Sequence, residues 1–192
     1  ALLETLKPLN PYGDSKQLFD LWAKETGALK QIVGLKYFNV FGPNEYHKGD
    51  MQSMIRKGFF QARDLGTLNL FKSYKPDYDD GCQERDFLYI RDAVAMTLFF
   101  LENNEKGGIF NIGSGKARNW NDLALAVFQA LNKKANIKYI EMPESIRNQY
   151  QYHTCADIDK IRSAGYVETI TSLEDGVSAY VKNYLTPDKH LE

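Results

Sequence analysis

Tyr12 and Lys16 are spaced so that they could act together on one proton. They lie four residues apart in the stretch NPYGDSKQLFD, just after Pro11, at the front edge of an apolar helix. Side chains at i and i+4 of a helix project from one face. An adjacent ammonium lowers a phenol pKa, and a tyrosine, which ordinarily titrates near ~10, needs such a neighbour for acid–base work near neutral pH. A surface helix with one aromatic anchor and one solvated charge is the alternative, and this stretch alone leaves both open.

Other candidate residues follow or precede predicted strands. Asn39 and Val40 lie where a buried strand ends, and ligands of open α/β sheets collect outside the carboxyl ends of strands; a strand residue with a satisfied amide is the alternative for Asn39. The planar guanidinium of Arg85 could bind a diphosphate bidentately, or it could form a salt bridge with Asp86 or with the acidic stretch DYDD. Lys48, in EYHKGD, is by itself typical of a solvated loop lysine.

The elements that must position these residues alternate between helices and strands. Helices are predicted over Asp14–Glu25, Met51–Leu65 and Ala93–Leu101, after Asn119, within ADIDKIRSAGY and after Ser172. Strands are predicted over Gln31–Pro43, RDFLYI, GGIFNIGSG and IKYIEMP, and Lys72–Glu84 is predicted to be a loop. The composition of Gln31–Pro43 favours a strand buried on both faces, as in a parallel sheet. This alternation predicts the α/β class, with helical crossovers between parallel strands.

Local signals predict where several helices begin and end. Asp92 is predicted to cap the helix over Ala93–Leu101, and Ser172 to cap the last helix. Asn119 with Asp122 three residues later resembles a capping box. Gly165 is predicted to end the short helix before it.

Composition excludes several classes of function. The chain has 192 residues, 43% hydrophobic and 26% charged, with a formal net charge of −1 and scattered lysines, so we expect no nucleic-acid partner. The longest apolar run, around Ala93–Leu101, is shorter than the ~18 residues that suggest a membrane span. No stretch has the pattern of a signal peptide, so we expect a reduced, cytoplasmic compartment.

The spacing of metal-ligating residues and of glycines narrows the choice of cofactor. Cys82 and Cys155 stand apart without CxxC spacing, so neither a disulfide framework nor a metal site is expected. The three histidines, at 47, 153 and 190, form no ligand cluster. No G-x-G-x-x-G or G-x-x-G-x-x-G element occurs, so the chain has no pyrophosphate-binding turn of its own.

Five motifs, taken in order, carry a family resemblance: PYGDSK, KYFNVFGP, ERDFLYIRDA, IFNIGSG and SLEDGV. Together they resemble the second half of an extended short-chain dehydrogenase/reductase that acts on nucleotide-activated sugars. Within that group, GPNEYHKGDMQS and RNQYQYHTCADI are most similar to the branch that epimerises ADP-linked heptoses. The resemblance covers the chain from Leu6 onward, and it implies that a Rossmann half of comparable size precedes it.

The resemblance also implies a domain organisation. The chain is expected to be the C-terminal part of an extended Rossmann-type fold with a smaller α/β substrate-binding domain. Residues 1–43 would end the Rossmann domain, and residues 44–192 would mainly form the substrate-binding domain, with 86–115 partly returning to the Rossmann sheet. The isolated chain is then expected to be inactive. Leu191 and Glu192, which follow His190, look like residues left by cloning.

By resemblance, three residues are catalytic. Lys16 would hold the nicotinamide ribose and acidify Tyr12, and Lys48 would be the second proton-transfer group. The implied cofactor-binding residues are Tyr12, Lys16, Lys48 and the backbone of Val40. The implied substrate-binding residues are Asn39, Asp50, Lys57, Leu70, Phe71, Lys72, Ser73, Arg85 and Tyr150.

Some of these assignments have alternatives or depart from the family pattern. A core tyrosine is an equally good interpretation of Tyr150. Asp50 stands where the family pattern leads us to expect a serine. The loop from Ser73 to Gln83 is longer and more acidic than the usual connection.

The function implied by the resemblance is epimerisation at carbon 6 of ADP-D-glycero-D-manno-heptose, for the lipopolysaccharide inner core. It would proceed by transient oxidation with bound NADP, or with NAD, and without a metal. The resemblance also implies a homo-oligomer, a pentamer or a decamer. One alternative is an epimerase or dehydratase of UDP- or GDP-hexoses. The other is a non-catalytic nucleotide sensor, against which the presence of both Tyr12 and Lys16 argues.

Overall fold

The computed structural model describes residues 3–103 and 107–191. Glu192, one of the two residues interpreted as left by cloning, lies outside the described residues. The helices are α1 Pro11–Glu25, α2 Met54–Phe60, α3 Ile90–Glu102, α4 Trp120–Ala130, α5 Glu144–Arg147, α6 Asp159–Ser163 and α7 Leu173–Tyr180. The strands are β1 Val33–Tyr37, β2 Asn39–Phe41, β3 Leu68–Phe71, β4 Glu84–Tyr89, β5 Gly108–Ile112, β6 Ala117–Asn119 and β7 Ile137–Ile140. Short π-helical turns, Gln61–Leu65 and Val181–Leu185, extend α2 and α7.

The strands form three small sheets that are mainly parallel. β1 pairs with β5, β2 with β4, and β3 with β7, each in parallel, and β6 runs antiparallel to β4. In every parallel pair the partners are far apart in sequence, so helices lie in the connections between them. The predicted α/β class is confirmed.

The predicted strand Gln31–Pro43 is wrong in its continuity. It is divided at Phe38, whose N–H donates to the carbonyl of Ile112 at 3.0 Å and whose carbonyl accepts from the N–H of Val40 at 2.9 Å. The two halves therefore belong to different sheets. The predicted burial of both faces is also wrong for β1, which is half-buried because in the described part of the chain it pairs with one strand only.

Local capping explains where the helices begin. The side chain of Asn10 accepts a hydrogen bond from the N–H of Gly13 at 2.8 Å, so α1 begins at Pro11 rather than at the predicted Asp14. The predicted caps Asn119 and Ser172 are confirmed by bonds of 2.8 and 3.1 Å from the backbone N–H three residues later. Gly165, at φ 106°, follows α6 as predicted.

The predicted cap at Asp92 is wrong. Helix α3 begins at Ile90, and Asp92 lies in its first turn. Its buried carboxylate accepts hydrogen bonds from the N–H and the hydroxyl of Thr171, both at 3.1 Å. Asp92 therefore connects α3 to the segment before α7. The predicted start of α2 at Met51 is also three residues early, because the Ser53 hydroxyl caps that helix.

Two hydrophobic cores lie on opposite faces of the β2–β4 pair. One core packs α3, α6 and β5 against Leu88 and Val40. The other packs α2, α4 and α7 against Phe87, Tyr89 and Phe41. Successive side chains of a strand point to opposite faces, so β2 and β4 contribute to both cores. Asn39 and Val40 are the first two residues of β2, and the prediction that they lie at the end of a buried strand is wrong.

Candidate active site

A cleft of about 650 Å³ opens beside β2, between the segment before α2 and the end of β3. Seven of the predicted site residues line it: Asn39, Val40, Lys48, Lys57, Leu70, Phe71 and Tyr150. They come from positions more than 100 residues apart in the sequence, and the parallel pairings β2–β4 and β3–β7 bring them together. The cleft also contains Glu45 and Trp120, which the sequence analysis did not single out.

Lys48 lies in a 3-10 helical turn over Tyr46–Met51, and several hydrogen bonds hold this turn in place. The Lys48 N–H donates to the carbonyl of Glu45 at 3.1 Å, and the Gln52 side chain donates to the carbonyl of Tyr46 at 3.0 Å. The amine of Lys57 donates to the carbonyl of Asp50 at 2.6 Å. Asp50 itself is exposed and is not one of the residues that line the cleft.

Arg85 lies beside the cleft, only 8% exposed, on β4. One of its guanidinium nitrogens donates to the carbonyl of Glu84 at 2.7 Å. Its guanidinium carbon lies 5.0 Å from the ring centre of Tyr150 and 5.8 Å from that of Trp120. Burial lowers the pKa of Arg85, because the charged form loses hydration.

The salt-bridge interpretation of Arg85 is wrong within residues 3–103 and 107–191, where no carboxylate forms an ion pair with it. The Asp86 carboxylate is occupied elsewhere. It accepts from the N–H and the hydroxyl of Ser114 at 2.6 and 2.8 Å, from the N–H of Gly115 at 2.9 Å, and from the N–H of Ala156 at 3.0 Å. Asp86 therefore holds the glycine turn after β5 and does not pair with Arg85.

Tyr150 lines the cleft as a half-buried residue rather than a core residue. Its hydroxyl accepts a hydrogen bond from the indole of Trp120 at 3.0 Å, and its ring lies 6.4 Å from that of Phe71. Desolvation raises the pKa of Tyr150. In the sequence, Trp120 directly follows the predicted cap Asn119, and this places it at the start of a helix. No local sequence pattern connects it to Tyr150.

Lys72 and Ser73 follow Phe71 but do not line the cleft. The Lys72 amine pairs with Glu141 at 2.6 Å, and this bond raises the pKa of Lys72. The N–H of Ser73 donates to the Asp80 carboxylate at 2.7 Å. The acidic loop over residues 73–83 is therefore closed by a hydrogen bond between its first residue and Asp80.

Tyr12 and Lys16 share one face of α1, as their spacing predicts. The Lys16 amine lies 5.2 Å from the centre of the Tyr12 ring. Tyr12 is 74% exposed, and neither residue lines the cleft. A second depression, of about 910 Å³, shares Phe38 and Asn39 with the cleft.

The residues present could bind the nicotinamide ribose end of a dinucleotide, but the sequence has no turn for its pyrophosphate. The exposed phenol and ammonium of Tyr12 and Lys16 are donors that fit ribose hydroxyls, and Val40 lies in the cleft wall. The pyrophosphate end has no matching glycine turn in the sequence. The described residues contain no cluster of three or more potential metal ligands. In the same ranges, no helix has the length and apolar character needed to cross a bilayer.

Comparisons with known proteins identify the family that the chain matches. Residues 1–113 match the model of the NAD dependent epimerase/dehydratase family. The chain is 54% identical over 185 residues to an ADP-L-glycero-D-manno-heptose-6-epimerase of Nitratidesulfovibrio vulgaris, which covers 96% of this chain and 57% of the relative. The chain therefore spans just over half the length of the curated relatives that it matches.

Two solved structures share the fold. The ADP-L-glycero-D-manno-heptose-6-epimerase of Helicobacter pylori superposes with a TM-score of 0.79 at 28% identity, over 95% of this chain and 54% of that one. A UDP-glucuronic acid 4-epimerase from Bacillus cereus, in complex with UDP-glucuronic acid and NAD, superposes with a TM-score of 0.73 at 25% identity, over 95% of this chain and 55% of that one.

Proposed function

The chain belongs to the NAD-dependent epimerase/dehydratase family, and on that basis we propose that the whole protein inverts carbon 6 of ADP-D-glycero-D-manno-heptose. The observation that carries the proposal is the cleft, which gathers Lys48 with six further predicted ligand residues from distant parts of the sequence. The 54% identity to a relative named as an ADP-heptose epimerase supports the choice of substrate. The product would serve the lipopolysaccharide inner core.

We assign the proton transfers to two side chains. Tyr12 would hold and release the proton of the sugar hydroxyl at its phenol oxygen on one face, and the Lys16 ammonium would stabilise negative charge on that oxygen. Lys48 would do the same at its amine on the opposite face. When bound, the nicotinamide cofactor supplies reversible hydride transfer at the carbon that is inverted. Tyr12, Lys16, Lys48 and the Val40 backbone would bind it.

We assign the diphosphate of the substrate to Arg85. Its charge lies beside the cleft with no carboxylate partner among the described residues, and its planar fork matches two phosphate oxygens. Tyr150 would close over the sugar nucleotide. Leu70, Phe71, Lys72 and Ser73 would make backbone or stacking contacts to the nucleotide, with a polar contact from Lys57 nearby. Asn39 and Asp50 would contact the rest of the substrate.

The remaining proposals rest on the resemblance. We propose NADP as the cofactor, with NAD as the alternative, and a cytoplasmic homo-oligomer, either a pentamer or a decamer. Residues 1–43 would end a Rossmann domain, and 44–192 would mainly form the substrate-binding domain, with 86–115 partly returning to the Rossmann sheet.

A substrate comparison with the full-length protein tests the function. ADP-D-glycero-D-manno-heptose, UDP-hexoses and GDP-hexoses are each supplied with NADP or NAD, and the formation of an epimer or of a dehydrated keto sugar is followed. We expect turnover of the ADP-heptose alone. Turnover of a hexose nucleotide in its place would favour the hexose epimerase or dehydratase, and binding without turnover of any substrate would favour the nucleotide sensor.

A further inference from the structure

Glu45 is a buried carboxylate in the wall of the cleft. It is 4% exposed, and three donors converge on it. The Ser53 N–H donates to one carboxylate oxygen at 2.6 Å, and the Ser53 hydroxyl donates to the other at 2.5 Å. The hydroxyl of Tyr180 donates to that second oxygen at 2.9 Å. A buried carboxylate is costly unless such donors satisfy it, so these bonds fix its position.

These bonds connect three parts of the molecule. Glu45 and Ser53 are the two ends of a nine-residue segment that contains Lys48, so the carboxylate closes this segment into a ring. Ser53 is also the N-cap of α2. Tyr180 is a buried residue of α7, and burial followed by the charge of Glu45 raises its pKa, which keeps the hydroxyl protonated as a donor.

From this geometry we propose that Glu45 is a positioning residue for Lys48. The inference rests on the proposed function, in which Lys48 transfers a proton. By anchoring both ends of the segment to α2 and α7, Glu45 fixes the backbone from which Lys48 reaches the cleft. A displacement of about 1 Å at a catalytic group can cost up to roughly 10²-fold in rate, so such anchoring has a kinetic consequence.

The bonding pattern requires a carboxylate in particular. Both oxygens accept hydrogen bonds, whereas a glutamine amide offers one acceptor oxygen and one donor NH₂ group. Glu45→Gln therefore keeps the size of the side chain but turns an NH₂ group towards Ser53 or Tyr180. Tyr180→Phe removes one of the three bonds while the carboxylate stays in place.

A double-mutant cycle in the full-length enzyme tests the inference. Glu45→Gln should lower kcat by roughly 10- to 100-fold and change KM less. In a Lys48→Ala background, the same substitution should cost almost nothing further, because no amine remains to be positioned. Hydrogen exchange of the amides in residues 45–53 should rise in Glu45→Gln.

Asp92→Asn provides a matched control. Asp92 is another buried carboxylate that bridges two segments, through Thr171, but it does not line the cleft. This variant should unfold at a lower temperature and keep both the wild-type kcat and the wild-type hydrogen-exchange rates of residues 45–53. If Glu45→Gln does not fold, Tyr180→Phe takes its place in the cycle, with a smaller expected loss.

Two results would overturn the positioning role of Glu45 without affecting the proposed function. One is a wild-type kcat in Glu45→Gln. The other is an equal loss of kcat on Glu45→Gln substitution whether Lys48 is present or replaced by alanine. Either would occur while Lys48→Ala is strongly impaired, so the proposed function would stand. A wild-type rate in Lys48→Ala would instead contradict the proposed two-group chemistry, and the positioning inference would fail with it.

Discussion

At the scale of single residues, the charge of Arg85 most clearly calls for a ligand. Removing a guanidinium from water is costly, and among the described residues that of Arg85 contacts one carbonyl oxygen and the faces of Tyr150 and Trp120. Such faces stabilise a cation only modestly, by about 0.5–2 kcal/mol. A diphosphate in the cleft would supply the missing negative charge.

Arg85→Lys should therefore raise the substrate KM of the full-length enzyme more than it lowers kcat. A point charge replaces a bidentate fork, and the lost binding is shared by the ground state and the transition state. We expect KM to rise roughly tenfold or more, as for the loss of a charged hydrogen bond. Steady-state kinetics measures both constants.

Arg118→Lys is the control for this experiment. Arg118 lies opposite Arg85 in the β4–β6 pair, but its charge is paired with Asp122 and Glu174. Its substitution should leave KM unchanged. If Arg85→Lys leaves KM unchanged while kcat collapses, the diphosphate assignment is wrong.

At the scale of elements, the cap of α1 connects local structure to chemistry. Asn10 accepts the Gly13 N–H and thereby starts the turn that carries Tyr12. Asn10→Ala should lower stability by about 1 kcal/mol and lower kcat, because the first turn frays. Asn10→Ser, which can still cap, should keep most of both. Thermal unfolding and kcat are the measurements, and an unchanged unfolding temperature in Asn10→Ala would contradict this account of the cap.

The glycine at the end of β2 is a second element-scale constraint. Gly42 has φ 150°, and a Cβ there would lie 2.3 Å from Cγ2 of Ile90. Gly42→Ala should cost about 1–3 kcal/mol beyond the conformational penalty, since the collision adds overpacking. Gly27→Ala is the control, because φ there is 76° but no atom lies within 4 Å of the new Cβ. Equal urea midpoints for the two variants would contradict the collision.

Elements with local signals could be predicted from the sequence, and those that depend on distant contacts could not. The caps at Asn119 and Ser172 are bonds within four residues, and both were correct. Asp92 has the type of a cap, but its partner Thr171 is 79 residues away. The break at Phe38 likewise depends on Ile112, in a strand that no local pattern connects to it.

At the scale of the whole molecule, the prediction of site residues is also limited by contacts between residues that are distant in sequence. Family motifs brought the sequence analysis to seven residues that line one cleft. The sequence analysis did not identify Trp120 or Glu45 as site residues. Trp120 bonds to Tyr150, 30 residues away, and Glu45 bonds to Tyr180, 135 residues away. Which residues share a cleft depends on the β2–β4 and β3–β7 pairings, and these have no local signature.

Cofactor affinity is also a property of the whole molecule. The residues proposed to bind the nicotinamide ribose, Tyr12 and Lys16, lie in this chain, whereas its sequence has no glycine turn for the pyrophosphate. Residues 1–192 alone should therefore show no sub-micromolar affinity when NADP is titrated, whereas the full-length protein should bind it. Tight binding by residues 1–192 would show that the pyrophosphate site lies within this chain.

The central claim is that Tyr12 and Lys48 serve opposite faces of one carbon, and stereochemistry tests it most directly. A ketone analogue of the sugar nucleotide is supplied, together with the reduced nicotinamide cofactor as hydride donor, to the full-length enzyme, and the two alcohol epimers are followed in Tyr12→Phe and in Lys48→Ala. Each variant should lose roughly 10²–10⁴-fold in epimerisation, as expected for one positioned acid or base. Each should still reduce the analogue from one face, and the surviving epimer should differ between the two. Lys138→Ala, which removes an exposed lysine outside the cleft, should behave as the wild type. Epimerisation by Lys48→Ala at close to the wild-type rate would contradict the account and leave Lys48 a solvated loop lysine.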